Sequence, residues 1–250
     1  MKDVKTSLLE RTSVRRYTTD PIPAEVMDFI YEAVRNTPTS YNGQQFSVID
    51  ITDPEIKEQL SEITGQKQIK TCRHFLVFCA DYHKAELLAK AGNLEFPAVT
   101  DTADGLIVAV IDASLAMMSA IVAAQASGLG SNCIGFLRTA DPAKVAEILN
   151  LPKGVFVVCG LALGYPRETP DLKPKEPRSL VFHKDRYRDD TEAIVDEMKA
   201  YNDFVHHYNM TRSGQTTDNY WINHILGYYN EVVKLKILDY LKAQGYNITH

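Results

Sequence analysis

Hydrophobic and polar positions alternate along this chain in blocks that read as short helices and strands. Apolar spacing from Val4 to Leu9 suggests a first helix, which a polar, Arg-rich turn from Arg11 to Thr19 interrupts. A second helix opens near Pro23, whose missing N–H costs nothing in a first turn, and Val26, Met27, Phe29, Ile30, Ala33 and Val34 recur at helical spacing. Thr37 to Gln45 is rich in Pro, Ser, Asn and Gly and reads as a loop. Phe46 to Ile51 alternates as a strand, Pro54 to Ile63 returns to helical spacing, and Phe75 to Ala80 is a continuous apolar run of strand length.

Leu106 to Ala126 is nearly all apolar and long enough to cross a bilayer. Asp112, Ser114, Ser119 and Gln125 interrupt it, Asp101 and Asp104 precede it, and neither an aromatic belt nor a basic flank sets a topology. The pattern therefore predicts a helix buried in a core or against a second subunit. Gly128 and Gly130 can supply left-handed caps before a strand at Cys133 to Leu137. Asp141 and Pro142 open a helix through Leu149, and Val155 to Leu163 is another buried strand. Tyr165 to Arg178 holds four prolines among charges and is expected as a long extended loop, a length that often marks function. Two helices, Thr191 to Tyr208 and Tyr220 to Leu241, are expected around the polar stretch Asn209 to Asn219.

Composition narrows the class. With 250 residues, 45% apolar and 24% charged, the chain can bury a sizeable core, and its net charge of -5 argues against a nucleic-acid partner. Cys79, Cys133 and Cys159 sit in apolar runs without a CxxC pair, so reduced core thiols and a cytoplasmic setting are expected. No apolar leader opens the sequence, so secretion is not expected. Strands alternating with helices suggest a doubly wound sheet, yet neither G-x-G-x-x-G nor G-x-x-x-x-G-K-[ST] is present, so phosphate must be bound by other means.

Arg11-Thr12-Ser13-Val14-Arg15-Arg16 places three guanidinium groups and two hydroxyls in six residues. It is either a solvated basic turn or an anion site. Lys173-Pro174-Lys175 offers a second pair of cations, held apart by a stiff residue. No Ser-His-Asp or Cys-His signature stands out, His206 and His207 read as surface groups, and no metal is expected. Glu95, Asp101 and Asp104 read as a solvated cap before the apolar helix.

Taken in order, Arg11-x-Ser13-x-Arg15, Ser40-x-Asn42-x-Gln44, Gly65-Gln66-Lys67, Gly128-Leu129-Gly130 with Ile134-Gly135, Gly164-Tyr165-Pro166 and Asp171-Leu172-Lys173-Pro174-Lys175 resemble the oxygen-insensitive NADPH nitroreductase and NADPH-flavin oxidoreductase family. The likeness reaches Thr211-Arg212 and Trp221. It implies an α+β fold, a nitroreductase-like sandwich whose mixed, mainly antiparallel sheet is flanked by helices. It also implies an FMN-binding core over residues 1–190 and a C-terminal helical extension over residues 191–250 that packs on a homodimer.

The same resemblance assigns FMN as cofactor, with NADPH as donor and NADH possible. Arg11, Thr12, Ser13, Lys173 and Lys175 would grip the FMN phosphate. Arg15 would lie near N1 and O2 of the ring, where a fixed cation favours the reduced form. Ser40, Asn42, Gln44 and Gln66 would bond the ring edge and ribityl chain, and the backbone around Ile134 and Gly135 would cover one face, with Cys133 nearby as a packing group or a redox thiol. Arg212 would contact the ribose 2′-phosphate of NADPH, although Gln215, Thr216, Thr217 and Asp218 stand where relatives tend to carry further basic residues. A second departure is Arg11-Thr12, where the NADPH branch often has His-Arg. The implied activity is a ping-pong, two-electron reduction of nitroaromatics, quinones or free flavin. Alternatives are another small-molecule acceptor (disulfide, chromate or azo compound) or a flavin storage or redox-sensing protein.

Overall fold

The computed structural model describes residues 3–249. Two compact units divide the chain: Met1–Thr169 with Lys236–His250, and Pro170–Leu235.

The first unit is built on a four-stranded antiparallel sheet in the order β1-β2-β4-β3, with β1 Phe46–Ile51, β2 His74–Asp81, β3 Gly130–Ile134 and β4 Val155–Gly164. Among the described residues, parallel pairing is confined to an isolated bridge between Ser13 and Ser131. Apart from His74 and Asp81 at the ends of β2, the two central strands, β2 and β4, carry no polar side chain, because helices cover both faces of the sheet, which removes the usual polar alternation. On one face Leu76, Phe78, Leu161 and Leu163 pack under α2 (Ala24–Arg35) and α6 (Ala103–Ala126), while α1 (Val4–Leu9) lies against α6. The other face sets Phe75, Val77, Val157 and Ala162 against α3 (Pro54–Thr64), α4 (Gln68–Thr71) and α7 (Pro142–Ile148). A helix that the apolar pattern did not single out, α5 (His83–Ala91), buries none of its residues and so carries no stripe to find.

The caps follow the sequence. Asp53 accepts from the amides of Glu55 and Ile56 to start α3, and Asp141 accepts from Lys144 N to start α7. Thr102 Oγ1 accepts from Gly105 N at 2.9 Å to start α6. Buried Ala109, Ala113, Ala116, Ala120 and Ala124 recur every three or four residues, so one face of α6 is made of alanine and approaches its neighbours closely.

The largest departures from expectation fall at three boundaries. β3 runs from Gly130 to Ile134, and Gly135–Arg138 is a tight 3-10 turn that drives Leu137 into the core, so the strand placed at Cys133 to Leu137 ends at its second residue. Only Gly128, at φ 80°, supplies the left-handed residue after α6, whereas Gly130 is already paired with Gly164. Tyr220 to Leu241 divides into α10 (Trp221–Val232) and α11 (Ile237–Ala243), because Lys236 leaves helical dihedrals and Tyr240 and Leu241 enter the core of the first unit. Tyr246 Oη then donates to Gly154 O at 3.0 Å and its ring meets Phe156 edge-on. The second unit holds α8 (Arg178–Val181), α9 (Thr191–Thr211) and α10, after the extended loop expected from Tyr165 to Arg178.

Gly130 has a packing role. A Cβ there would stand 2.8 Å from Val14 Cβ, inside any permitted contact. Gly130→Ala is therefore expected to lower stability by roughly 1–3 kcal/mol as Val14 is pushed aside. Urea unfolding measures this, and an unchanged midpoint would count against the close approach.

Candidate active site

In the first unit the Arg-rich segment does not hang in solvent as a turn. It lies along β3: Val14 N donates to Ser131 O at 3.0 Å, and Tyr17 bridges to Pro166 beyond the end of β4. Buried Val14 and Tyr17 anchor it, and Tyr17 Oη donates to Val14 O at 2.6 Å and Ala162 O at 3.2 Å. Burial, the largest cause, pushes this phenol well above its ordinary range, so it stays a neutral donor. Glu168 Oε1 accepts from the amides of Arg15 at 2.7 Å and Arg16 at 3.2 Å, which fixes the backbone and leaves both guanidinium groups exposed.

Charge balance along the strip is uneven. Arg16 has Glu168 at 3.7 Å, but among the described residues neither Arg11 nor Arg15 has a carboxylate within 4 Å. The Arg15 guanidinium donates to Ser13 O at 3.5 Å. Two cations without counter-charges, beside the hydroxyls of Thr12 and Ser13, form a donor set suited to a phosphate. Arg15 also lines a cavity of about 640 Å³ with Arg16, Lys67, Gln68, Thr71 and Arg167.

Gln66 follows Gly65, which ends α3 in the left-handed conformation at φ 67°. Gln66 Oε1 accepts from Gln68 Nε2 at 2.8 Å, and Gln68 Nε2 also donates to Asn132 Oδ1 at 3.0 Å on β3. The carbonyl of Gln66 is thus occupied, which leaves its amide nitrogen to serve as a donor. Space is open in front of Gly135, where the nearest atom to an added Cβ would be Arg138 Nη2 at 3.9 Å, so a planar ligand can approach the backbone there.

Ser40, Asn42 and Gln44 stand on an exposed 3-10 loop of unusual backbone, with Tyr41, Asn42 and Gln44 all at φ between 51° and 55°. Left-handed non-glycine residues cost of order 1–3 kcal/mol each and persist where surroundings enforce them. The enforcement comes from Asp112 of α6, which is 1% exposed: Oδ1 accepts from Ser40 N at 3.1 Å and Oδ2 from Gln45 N at 3.2 Å. Asp112, Gln68, Asn132 and Glu168 are the positioning residues that sequence reasoning missed. The signal for Asp112 was present, as the one carboxylate inside an apolar run.

The cysteines correct an expectation. Cys72 and Cys79 are buried, and burial, the largest cause, pushes both thiols up to about 12. Cys133 is exposed on β3, an edge strand, and Cys159 on β4 is partly buried against the core.

In the second unit Lys173, Lys175 and Arg212 line one cavity of about 360 Å³, with Tyr201, Trp221 and His224. Arg212 Nε donates to Gln215 O at 2.7 Å, which fixes its stem and leaves the paired Nη groups for a ligand. Asp171 accepts from Ser213 Oγ at 2.8 Å and Ser213 N at 2.7 Å, and these bonds, helped by Arg212, hold its carboxyl below the usual range. Asp218 pairs with His206 at 2.7 Å, and His206 stacks on Tyr220 at 4.1 Å.

Residues 8–165 match the nitroreductase family and residues 173–249 its C-terminal domain. An FMN reductase [NAD(P)H] of Bacillus subtilis (strain 168) is 34% identical over 250 residues, covering 99% of both chains. An oxygen-insensitive NADPH nitroreductase of Salmonella typhimurium is 33% identical over 94% of each. The solved structure of the hypothetical oxidoreductase YcnD from Bacillus subtilis superposes with a TM-score of 0.94 at 33% identity over the whole of both chains. The chain belongs to the nitroreductase family.

Replacing Asp112 by Ala strands two part-buried amide donors, at a cost of up to about 1–3 kcal/mol each. Hydrogen exchange at Ser40 and Gln45 should accelerate by at least tenfold in Asp112→Ala. Unchanged protection at both amides would refute the clamp.

Proposed function

We infer that this protein is an FMN-dependent NAD(P)H oxidoreductase that carries two electrons from a reduced nicotinamide nucleotide to a small organic acceptor, a nitroaromatic, a quinone or free flavin. The observation that carries this reading is the pair of uncompensated cations, Arg11 and Arg15, held along β3 in a chain of this family. FMN, when bound, supplies the two-electron redox centre, and the protein supplies binding and electrostatics.

Each residue's part follows from its chemistry. Arg11, Thr12 and Ser13 take the FMN phosphate, Arg15 sets a positive charge at the pyrimidine edge, and Gln66 donates to a ring carbonyl. The backbone from Cys133 through Ile134 to Gly135 would lie against one ring face. Ser40, Asn42 and Gln44, held in their loop by Asp112, bond the ring edge and ribityl chain. Lys173, Lys175 and Arg212 serve nucleotide phosphates, with Arg212 on the 2′-phosphate of NADPH. The aromatic walls of Tyr201 and Trp221 offer faces for a base, their rings meeting edge-on at 5.7 Å.

The working form is a homodimer. α6 leaves Ile107 (54% exposed), Ile111, Leu115 and Met118 open to solvent, and Val4 and Phe29 join Leu115 and Met118 around an apolar hollow of about 530 Å³. Contiguous apolar area of this kind marks an interface. α6 is also long and apolar enough to cross a membrane, yet its buried Asp112 and alanine face are engaged with the loop and core, which supports the interface reading. Four free cysteines support a reducing, cytoplasmic setting.

Loss of a charged hydrogen bond to the 2′-phosphate costs about 1.5–3 kcal/mol. Arg212→Ala should therefore raise KM for NADPH roughly tenfold to hundredfold and leave KM for NADH nearly unchanged. Steady-state kinetics with both donors decides this: equal losses would remove Arg212 from the assigned role, and flavin that neither donor bleaches would overturn the reductase reading.

A further inference from the structure

A cluster of charge of one sign stands on the first unit, beside the residues given to the FMN phosphate and distinct from them. Arg15, Arg16, Lys67 and Arg167 line a cavity of about 640 Å³ whose remaining wall is uncharged. No acidic residue lines it, although Asp and Glu outnumber Lys and Arg by 32 to 27 in the chain.

Three segments remote in sequence build this cluster. Arg15 and Arg16 belong to the strip along β3, Lys67 to the turn between α3 and α4, and Arg167 to the chain leaving β4. Arg167 N donates to Arg16 O at 2.9 Å and Thr18 N to Tyr165 O at 2.9 Å, so the strip and the Arg167 segment are joined backbone to backbone. Gln68, next to Lys67, ties the third segment to β3 through Asn132 Oδ1 at 3.0 Å. The backbones are thus fixed while all four cationic residues stay exposed.

Like charges gathered in this way repel, and the protein gives them little relief. Arg16 has one oxygen of Glu168 at 3.7 Å, and the other oxygen accepts from the amides of Arg15 and Arg16. Among the described residues no carboxylate lies within 4 Å of Arg15, Lys67 or Arg167, and neither Lys67 Nζ nor the Arg167 guanidinium makes a hydrogen bond.

We propose that this cavity takes the anionic group, a carboxylate or sulfonate, of the electron acceptor, with Arg16, Lys67 and Arg167 as the residues that hold it. The site rests on the reductase reading, in which Arg15 stands at the pyrimidine edge of the flavin and so joins the cavity to the ring. Arg16 and Arg167 supply flat N–H forks that match such a group, and Lys67 supplies a mobile point charge. A cleft lined by one sign of charge also concentrates ligands of the opposite sign, which offsets the repulsion that a chain of net charge -5 exerts on an anion. The volume suits a small organic molecule and exceeds what a bare inorganic ion fills.

The test compares 4-nitrobenzoate with 4-nitrobenzamide as acceptors for the FMN-loaded protein, since the two share ring and nitro group and differ in charge. KM for the benzoate should be the lower, and it should rise severalfold between about 20 mM and 200 mM NaCl as the charges are screened. In the double variant Lys67→Ala with Arg167→Ala it should rise roughly tenfold, while KM for the amide stays within about twofold. Equal changes for both acceptors, the outcome if these cations act on the flavin alone, or no change for the benzoate overturn the assignment. Equilibrium dialysis of each compound against oxidised, FMN-loaded protein reads the site without turnover. The unsubstituted protein should retain the benzoate more tightly than the amide and the double variant should lose that preference; equal retention by the unsubstituted protein overturns the site. Selective retention of the benzoate by a protein that passes electrons to neither compound refutes the reductase reading and supports the anion site.

Discussion

The arrangement of the first unit depends on a backbone pairing: the hydrogen bond from Val14 N to Ser131 O, made possible by a glycine at 130. A flexible arginine strip would spread its charge over many conformations, and ordering it on binding an anion would cost entropy for each residue. Paired to an edge strand and anchored by Val14 and Tyr17, the strip has already met that cost in folding. Glu168 completes the arrangement by accepting from backbone amides of the strip, so its carboxylate orients the chain without neutralising Arg15. Among the described residues, what remains is a pair of guanidinium groups with no carboxylate beside them, a donor set whose chemistry suits a phosphate without a glycine-rich loop.

A second constraint runs through α6. One face is alanine and reaches close to sheet and α2, another holds the buried carboxylate of Asp112, and a third leaves Ile107, Ile111, Leu115 and Met118 exposed. Asp112 is costly to bury and is matched by two amide donors, the loop ends at Ser40 and Gln45. The three left-handed residues between them persist because both ends are tied. The helix that forms the core on one side thus shapes the loop on another and leaves an exposed apolar surface on a third.

Elements governed by local chemistry were legible in the sequence. Helical spacing from Pro54 and the pair Asp141-Pro142 announced α3 and α7, and the unbroken apolar runs announced β2 and β4 as buried strands. Features set by tertiary contact were not. Gly130 looked like a cap because its reason, Val14, is remote in sequence. β3 was displaced because Phe136 and Leu137 have strand character but lie in a turn that drives Leu137 into the core. Of the site, the Arg11–Arg15 strip and the Ser40–Gln44 loop could be named from their residue types and their likeness to a family. The groups that hold them, Glu168 and Asp112, carry no motif. Cys133 was read as a core thiol because its flanks are apolar; only the sheet order reveals that β3 is an edge.

These features converge on a single physical claim, that a pre-ordered cationic strip holds the flavin chiefly through its phosphate. Riboflavin carries the same ring and ribityl chain without that group, so comparing it with FMN isolates the contribution. Fluorescence titration of flavin-stripped protein with each ligand measures the difference. The account predicts FMN to bind at least a hundredfold more tightly, the equivalent of about 3 kcal/mol from charge-assisted bonds. Equal affinities for the two would contradict it.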